Sequence, residues 1–300
     1  MRKPLFCLSS FVACTTRVQA QITVRSGSGS SPTAVTPVRD QFRIDLGGGT
    51  VSSPNGSFGG LRREINWDGV PAASAAPNNF PANFFNVNSP RGVVVSTAGS
   101  GFQVSGAARE NAPGNFGNLN ASYGSGFQSF TAQRLFTPLG SNVFDVSFFV
   151  PGTTVPAVVN GFRLMLTDVD LAGTTSVRFF DVNGGSLGVF SAPPLNSGLS
   201  FLGGFASDNQ ARIARVRVTL GNTPIGPNDK QRQFGHRRCG RFHLRGAICG
   251  LDVCQWLRMK SALRHARIGG FGCLDRFGIC STAGEPQCAP IGLLARHRSD

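Results

Sequence analysis

Between residues 21 and 229 the sequence contains neither cysteine nor histidine. All eight cysteines and all four histidines lie outside that segment, in the first twenty residues or after Asp229. The central segment therefore cannot fold around disulfides or around zinc held by cysteine or histidine, and its stability has to come from an apolar core. A segment of about 210 residues is long enough to bury such a core as one domain.

The same absence excludes several kinds of catalytic site from the central segment. A cysteine nucleophile, a serine–histidine pair and histidine-bound zinc all need residues that it lacks. Carboxylate chemistry remains open, since glycosidases need only two carboxyl groups at a fixed separation, and Glu64, Asp68 and Glu110 are the candidates. Glu64 and Asp68 also suit a structural role, holding nearby arginines or loop amides, so we assign no catalytic residue.

Short strands are the main secondary-structure signal. Glycine, asparagine, serine and proline interrupt the segment throughout, and no apolar 3.6-residue period lasts three turns. Ile213, Val216 and Val218 interleave with Arg215 and Arg217, which predicts a strand with one buried and one wet face. The predicted strands are 41–46, 92–96, 101–105, 143–150, 161–167, 174–181, 186–190, 199–205 and 211–220. Many short strands separated by turn signals predict an all-β fold, a single β-sandwich of jelly-roll type.

Acidic and amide side chains surround one predicted hairpin. Asn183-Gly184 between two strand signals indicates a tight turn, and Asp168, Asp170 and Asp181 lie near it in the sequence. Oxygen ligands at alternating positions beside a turn suit a hard cation, so the three aspartates and Asn183 are the candidate Ca²⁺ site. Such short side chains also accept hydrogen bonds from turn amides without any metal, and we favour that interpretation. No other cofactor is predicted.

Two aromatic residues are candidate ligand contacts. Trp67, with the adjacent Asp68, and Tyr123 have the ring chemistry that lines carbohydrate sites. Isolated aromatic residues are also common in cores. The predicted function is that of a non-enzymatic exported or cell-surface protein that binds glycan or extracellular matrix. The alternative is a carboxylate-dependent polysaccharide hydrolase, and the sequence indicates no oligomeric state.

The first twenty residues have the pattern of a secretory signal peptide. Arg2 and Lys3 form a basic start, residues 5–13 are a short apolar stretch, and residues 18–20 offer a small-residue cleavage site. A disordered basic start is the alternative. No later stretch approaches the roughly 18 apolar residues of a membrane span. We therefore expect residues 21–38, rich in Ser, Gly, Pro and Thr, to be a flexible lead-in to a secreted or surface domain over residues 39–229.

Six stretches of the central segment are specific when taken together. They are Arg63–Gly69, Phe84–Gly92, Leu166–Asp170, Phe179–Asp181, Ser186–Gly188 and Ile213–Arg217. In these stretches the chain resembles a family of uncharacterised bacterial exported β-sandwich proteins, some of which carry a C-terminal surface-sorting signal. The resemblance covers residues 40–229 and implies a secreted β-sandwich. It brings no catalytic residue, activity or ligand to this chain.

After Asp229 the composition changes abruptly. Residues 230–300 carry 13 Lys and Arg against 4 acidic residues, whereas residues 21–229 carry 13 Arg against 11. The pI of about 10.8 therefore comes mostly from the tail. A basic chain of this kind ordinarily suggests nucleic acid, but because the central segment is nearly neutral we expect no nucleic-acid partner. The six tail cysteines contain no C-x-x-C pair, which argues against a zinc module and leaves a small disulfide module open.

A change of reading frame offers a different interpretation of this tail. The resemblance implies that residues 226–229 lead into a final strand with an Asp-Asp-Phe centre, and this chain departs from that pattern. Permitted codons for residues 230–247, read one nucleotide later, give NSGNSAIVAVDDFIFAEP, and the shifted frame meets a stop codon at Met259-Lys260. We therefore interpret residues 230–300 as a frameshifted translation, a basic cysteine-rich tail that is disordered or unsupported.

Overall fold

The structure is a computed structural model, which describes residues 21–49, 52–53, 56–58, 62–107, 113–131, 133–227, 247–254 and 257–258. All of these residues belong to one compact unit, which ends at Lys260. The predicted signal peptide and most of the tail lie outside the described residues. No helix in the described part of the chain is long and apolar enough to cross a membrane.

The described residues are mostly β-strand, in agreement with the predicted all-β class. The strands are β1 (Ile22–Gly29), β2 (Ser52–Ser53), β3 (Ser57–Phe58), β4 (Arg62–Ile65), β5 (Val93–Thr97), β6 (Gly101–Val104), β7 (Phe136–Leu139), β8 (Val143–Phe148), β9 (Ala157–Val158), β10 (Gly161–Val169), β11 (Ser176–Phe180), β12 (Ser186–Ser191), β13 (Leu195–Ala206), β14 (Arg215–Thr219), β15 (Ala247–Cys254) and β16 (Leu257–Arg258). The helices are α1 (Pro32–Asp45), α2 (Phe84–Val87) and α3 (Tyr123–Gly126), with 3₁₀ turns at Trp67–Gly69 and Ala72–Ser74.

The strands form two main sheets. The large sheet has nine strands in the order β1-β13-β10-β15-β4-β3-β2, and the pair β6–β7 joins it through β15. The small sheet has five strands in the order β12-β11-β14-β8-β5. β9 pairs separately with β16. The strands within both main sheets pair in antiparallel fashion, and the hairpin predicted at Asn183-Gly184 joins β11 to β12.

One apolar cluster contains side chains from both sheets. Phe162 and Leu164 on β10 in the large sheet belong to the same buried cluster as Phe144 on β8 and Val216 and Val218 on β14 in the small sheet. On β14 the buried valines alternate with more exposed Arg215 and Arg217, as the sequence predicted. The two sheets therefore share a core, and the arginines of β14 lie on the opposite face of the small sheet.

The N-terminal part of the chain corrects two predictions. Residues 22–29 form β1, which pairs with β13 along its whole length, so the predicted flexible lead-in over residues 21–38 is wrong. Residues 41–46, predicted as a strand, lie almost entirely in helix α1. The helix begins after Ser31, whose side chain accepts a hydrogen bond from the Ala34 amide, and it buries Val35 and Phe42. Packing against β13 therefore decides the structure of a Gly/Ser-rich segment that has little apolar pattern of its own.

Two consecutive glycines in β13 allow aromatic rings to approach the strand from both faces. A Cβ atom on Gly203 would lie 2.6 Å from a ring carbon of Phe42 in α1. A Cβ atom on Gly204 would lie 2.6 Å from a ring carbon of Phe179 in the small sheet. Successive strand residues face opposite sides, so helix and small sheet each close against one glycine. Any larger residue at either position would push these layers apart.

The tail supplies the central strand of the large sheet. β15 pairs with β10 on one side and with β4 and β7 on the other. β10 is buried at all nine of its positions, so its edge needs a strand partner. For residues 247–254 the structure thus differs from the predicted unsupported tail. The frameshift interpretation itself stays a prediction, since the residues between 228 and 246 lie outside the described part of the chain.

Candidate functional site

The carboxylates of the candidate Ca²⁺ site hold backbone amides. Asp168 is buried in a left-handed backbone conformation (φ 58°), and its Oδ1 accepts a hydrogen bond from the Ser197 amide at 2.8 Å. Oδ1 of Asp181 accepts hydrogen bonds from the amides of Asn183 and Gly185, both at 2.8 Å. Short acidic side chains commonly stabilise turns through such hydrogen bonds to backbone amides.

The same residues lie at opposite ends of the fold. Asp168 is seven residues beyond Gly161, the start of β10, a span of about 23 Å in extended chain. Asp181 directly follows Phe180, whose carbonyl accepts a hydrogen bond from the amide of Ala214. Ile213, the residue before Ala214, forms a β-bridge with Val159, which lies just before the start of β10. Asp181 is therefore near the start of β10. Asp168 and Asp170 therefore lie towards the other end of β10 from Asp181 and Asn183, and a Ca²⁺ site at these residues stays a prediction.

The two candidate stacking rings are core residues. Trp67 is 2% exposed and stacks on Phe136 with a centroid separation of 4.4 Å and an interplanar angle of 7°. Tyr123 is fully buried, and its hydroxyl accepts a hydrogen bond from the Gly226 amide at 2.8 Å and donates one to the Gly226 carbonyl at 3.1 Å. Neither ring presents a face to solvent, which corrects the expectation of exposed stacking rings and matches the core alternative.

Two of the three candidate acid–base carboxylates, Glu64 and Asp68, form structural contacts. Glu64 forms ion pairs with Arg62 and, at 2.7 Å, with Arg43. Asp68, which was also a candidate ligand contact, accepts hydrogen bonds through Oδ1 from the amides of Arg134 at 2.8 Å and Gln133 at 3.2 Å. The third candidate, Glu110, lies outside the described residues. These contacts tie the 62–69 segment to neighbouring elements.

A different set of residues forms the best candidate site. The outward face of the small sheet carries Arg178 on β11 and Arg215 and Arg217 on β14. Strand register places Arg178, Arg217 and Asp145 of β8 in one row across three neighbouring strands. Phe180 and Arg215 lie side by side in the next row. We call these five residues the arginine face.

Two arginines of this face are held in place by their neighbours. Arg217 donates two hydrogen bonds to Asp145, from Nε to Oδ1 at 2.7 Å and from Nη2 to Oδ2 at 2.8 Å. Arg215 donates from Nη1 to Oδ2 of Asp145 at 3.0 Å, and its guanidinium carbon lies 3.8 Å from the ring centroid of Phe180. A bidentate carboxylate and a stacked ring both restrict a guanidinium, so this part of the surface is preorganised.

The electrostatics of the face follow from these contacts. Partial burial by itself raises the pKa of Asp145, but the hydrogen bond from Arg217 and the charges of Arg215 and Arg217 outweigh that effect and hold the pKa below its ordinary value. The hydrogen bond and charge of Asp145 in turn raise the pKa of Arg217, although desolvation opposes them. Asp145 is therefore ionised at neutral pH, and the face carries three positive charges against one negative charge.

Arg178 differs from the other two arginines. Its side chain is exposed, and within the described part of the chain it forms no ion pair or hydrogen bond. It lies directly opposite Arg217 in the β11–β14 ladder, an arrangement of like charges that destabilises a sheet. A planar guanidinium with free donors suits an anion such as a carboxylate, sulfate or phosphate group, which it can bind through two parallel hydrogen bonds.

The arginine face is open, whereas the large sheet is covered. Phe42 of α1 and Phe127 belong to an apolar cluster with Met165 and Phe201 of the large sheet, so α1 and the 116–130 segment cover the outer side of that sheet. On the small sheet, Val189 of β12 beside Arg178 is 47% exposed, and Ser96 of β5 beside Asp145 is also exposed. The surface around the arginines is thus a broad, solvent-facing strip.

The sequence predicts only part of this site. The alternation on β14 was visible and predicted that Arg215 and Arg217 face solvent. Arg178 is 37 residues before Arg215 in the chain, and Asp145 is 72 residues before Arg217. The strand order β11-β14-β8 brings them together, and the sequence carries no local signal for that order.

Comparison with known proteins adds no assignment. No protein-family model matches the sequence, and no curated protein is significantly similar to it. The resemblance to exported bacterial β-sandwich proteins therefore stays a prediction.

Proposed function

We propose that the protein is a non-enzymatic exported or cell-surface β-sandwich of jelly-roll type that binds glycan or extracellular matrix through the arginine face. The observation that carries this proposal is Arg178, exposed and without an ion pair among the described residues, beside two arginines that Asp145 and Phe180 hold in place. An antiparallel sheet with one buried and one wet face offers an extended surface that suits a polymer.

Binding is a better-supported role than catalysis. Glu64 and Asp68 already accept hydrogen bonds or ion pairs from Arg62, Arg43 and loop amides. Asp145 is held ionised by two arginines, whereas a general acid in a glycosidase needs a raised pKa. We therefore propose no reaction for these carboxylates.

The binding proposal is tested by sedimentation of the full chain with insoluble polysaccharides and with immobilised extracellular-matrix protein. A triple variant (Arg178→Gln, Arg215→Gln, Arg217→Gln) is compared with a charge-matched triple variant of the tail (Arg264→Gln, Arg296→Gln, Arg298→Gln). We expect the wild type and the tail variant to be retained on at least one material and the face variant to be released. Failure of the wild type to bind any of them would contradict the proposal.

Export is tested separately from binding. The full coding sequence is expressed in a bacterium with an intact secretion pathway, and the N-terminus of the product from each cell fraction is sequenced. We expect a product in the envelope or medium that begins at Gln21, the residue after the predicted cleavage site. A product confined to the cytoplasm that still begins at Met1 would contradict export.

A further inference from the structure

We infer that the arginine face selects glycans that carry carboxylate or sulfate groups, an inference that rests on the proposed glycan-binding function. This face carries three guanidinium groups and one carboxylate, Asp145, which pairs with Arg215 and Arg217. A neutral sugar would leave the remaining positive charge uncompensated, whereas an anionic sugar would compensate it. The charge balance therefore favours an acidic polymer over a neutral one.

Arg178 is the primary anion contact on geometric grounds. Arg217 uses Nε and Nη2 for Asp145, and Arg215 has its guanidinium over Phe180 and one nitrogen on Asp145. Arg178 has no such partner among the described residues and is free to present two parallel donors to a planar anion. Directly opposite and diagonal positions of adjacent strands lie about 5 and 8 Å apart. An anion on Arg178 therefore also lies within the field of Arg217 and Arg215.

The like-charge pair gives an independent reason to expect an anion. Arg178 and Arg217 are directly opposite in the ladder, and such pairs destabilise a free sheet. A carboxylate or sulfate bound between them would convert mutual repulsion into two attractive contacts. The face is therefore less favourable when empty than when an anion occupies it.

A polymer of nucleotides fits the face less well than an acidic glycan does. Proteins that bind single strands without sequence preference stack the bases on exposed aromatic side chains. The one ring of the arginine face, Phe180, is 8% exposed and lies beneath Arg215. Nucleotide bases would therefore have no exposed aromatic ring of the arginine face to stack on, whereas sugar acids require only the guanidinium groups.

The test measures the affinity of the full chain for four soluble polymers: polygalacturonate, dextran sulfate, uncharged dextran and single-stranded DNA. Arg178→Gln is compared with Arg298→Gln, which removes the same charge from the basic tail. We expect binding to polygalacturonate or dextran sulfate and none to dextran. Arg178→Gln should weaken this binding about tenfold, because it removes a charge-assisted pair of hydrogen bonds to the anion. Arg298→Gln should weaken it less than about twofold.

The comparison of the four polymers identifies the anionic group that the face prefers, and it also shows which results would overturn the inference. Tighter binding of polygalacturonate identifies the carboxylate as the preferred group, and tighter binding of dextran sulfate identifies the sulfate. Binding of dextran that is equal to that of the acidic polymers overturns the inference and leaves the proposed function standing. No binding to any glycan overturns the inference, and the proposed function is overturned as well only if the chain also fails to bind matrix protein. An equal loss in the two variants, or tighter Arg178-dependent binding of DNA, also overturns the inference.

A second variant tests the bidentate contact itself. Arg178→Lys keeps the positive charge but lacks the planar pair of donors. We expect an affinity between those of the wild type and Arg178→Gln, with an unchanged melting temperature. An affinity equal to that of the wild type would show that charge alone acts at this position and would overturn the bidentate assignment.

Discussion

Arg178 and Arg217 lie directly opposite one another across the β11–β14 ladder, although both side chains are positively charged. Asp145 lies on the other side of Arg217 and does not pair with Arg178, because both of its carboxylate oxygens accept hydrogen bonds from Arg215 and Arg217. A pair of this kind lowers the stability of a sheet. Its presence on an open, preorganised surface is the signature that we interpret as an anion-binding site.

Substitution of Arg178 should stabilise the free protein. Arg178→Thr removes the repulsion and introduces a residue that suits strands, so we expect the free energy of unfolding to rise by about 0.2–1 kcal/mol. Arg178→Glu should raise it further, because the new carboxylate faces Arg217. Urea denaturation of the two variants and the wild type measures this change. A lower free energy of unfolding in both variants would show that Arg178 is a structural residue.

Asp145 should contribute stability at neutral pH that is lost in acid. The two arginines hold its pKa in the folded chain below the ordinary value. A depressed pKa stabilises the folded state above the unfolded pKa of about 3.9, and this contribution disappears as the pH falls through the folded value. We therefore expect Asp145→Asn to lower the free energy of unfolding by about 0.5–1 kcal/mol at pH 7.

The pH dependence of that difference is the critical observation. Urea midpoints of the wild type and Asp145→Asn should converge as the pH falls below about 4. Asp45 and Asp208 also have lowered pKa values, so only the difference between the two proteins reports on Asp145. A difference that stays constant from pH 7 to the acid limit would contradict the assignment.

Trp67 should act on stability and not on binding. It stacks on Phe136 and contacts Phe80 and Phe85 edge-on, so Trp67→Ala should cost about 3–5 kcal/mol through the cavity it leaves. Trp67→Phe should cost less and keep the affinity for an acidic glycan, measured as for Arg178→Gln. Loss of that affinity with an unchanged melting temperature would restore Trp67 as the ligand contact that its sequence context predicted.

Local patterns predicted the small sheet better than the large one. β8, β11, β12 and β14 have alternating or β-branched residues bounded by turns, and these strands were found. β1 has the sequence ITVRSGSG and α1 contains Pro37. Their local sequence therefore does not indicate a strand or a helix, and both elements depend on packing against β13. The placement of the candidate Ca²⁺ residues could not be predicted for a related reason, because β11 lies between Asp170 and Asp181 in the chain and carries the two pairs of residues apart.

The central position of β15 gives the reading-frame interpretation a structural consequence. We propose that the strand position between β10 and β4 belongs to the shifted-frame sequence SAIVAVDDFIF, which would follow Asp229 almost directly. A final strand with about four buried apolar side chains contributes about 6–12 kcal/mol, close to the whole stability of a typical domain, about 5–15 kcal/mol. The chain as written fills this position from residues 247–254 instead.

Two chains test this proposal: the chain as written and one recoded after Asp229 to end in the shifted-frame strand. We expect the recoded chain to be soluble with a higher melting temperature, and the chain as written to express poorly or aggregate, because its β15 places Gly250 and Asp252, residue types that are depleted in strands, at this central position. Equal solubility and melting temperature would contradict the proposal. So would independent sequencing of the coding DNA across residues 228–260 that shows no missing or extra nucleotide.

The most direct test of the anion site is to observe the arginine side chains themselves. In the ¹⁵N-labelled full chain, the Nε–Hε signals of Arg178, Arg217 and Arg25 are assigned from single Arg→Gln variants and followed during titration with a short oligogalacturonate. Arg25 is the control because it pairs with Asp45 near α1, away from the arginine face. We predict that the Arg178 signal shifts most, Arg217 less and Arg25 not at all. An unchanged Arg178 signal at saturating ligand would contradict the account.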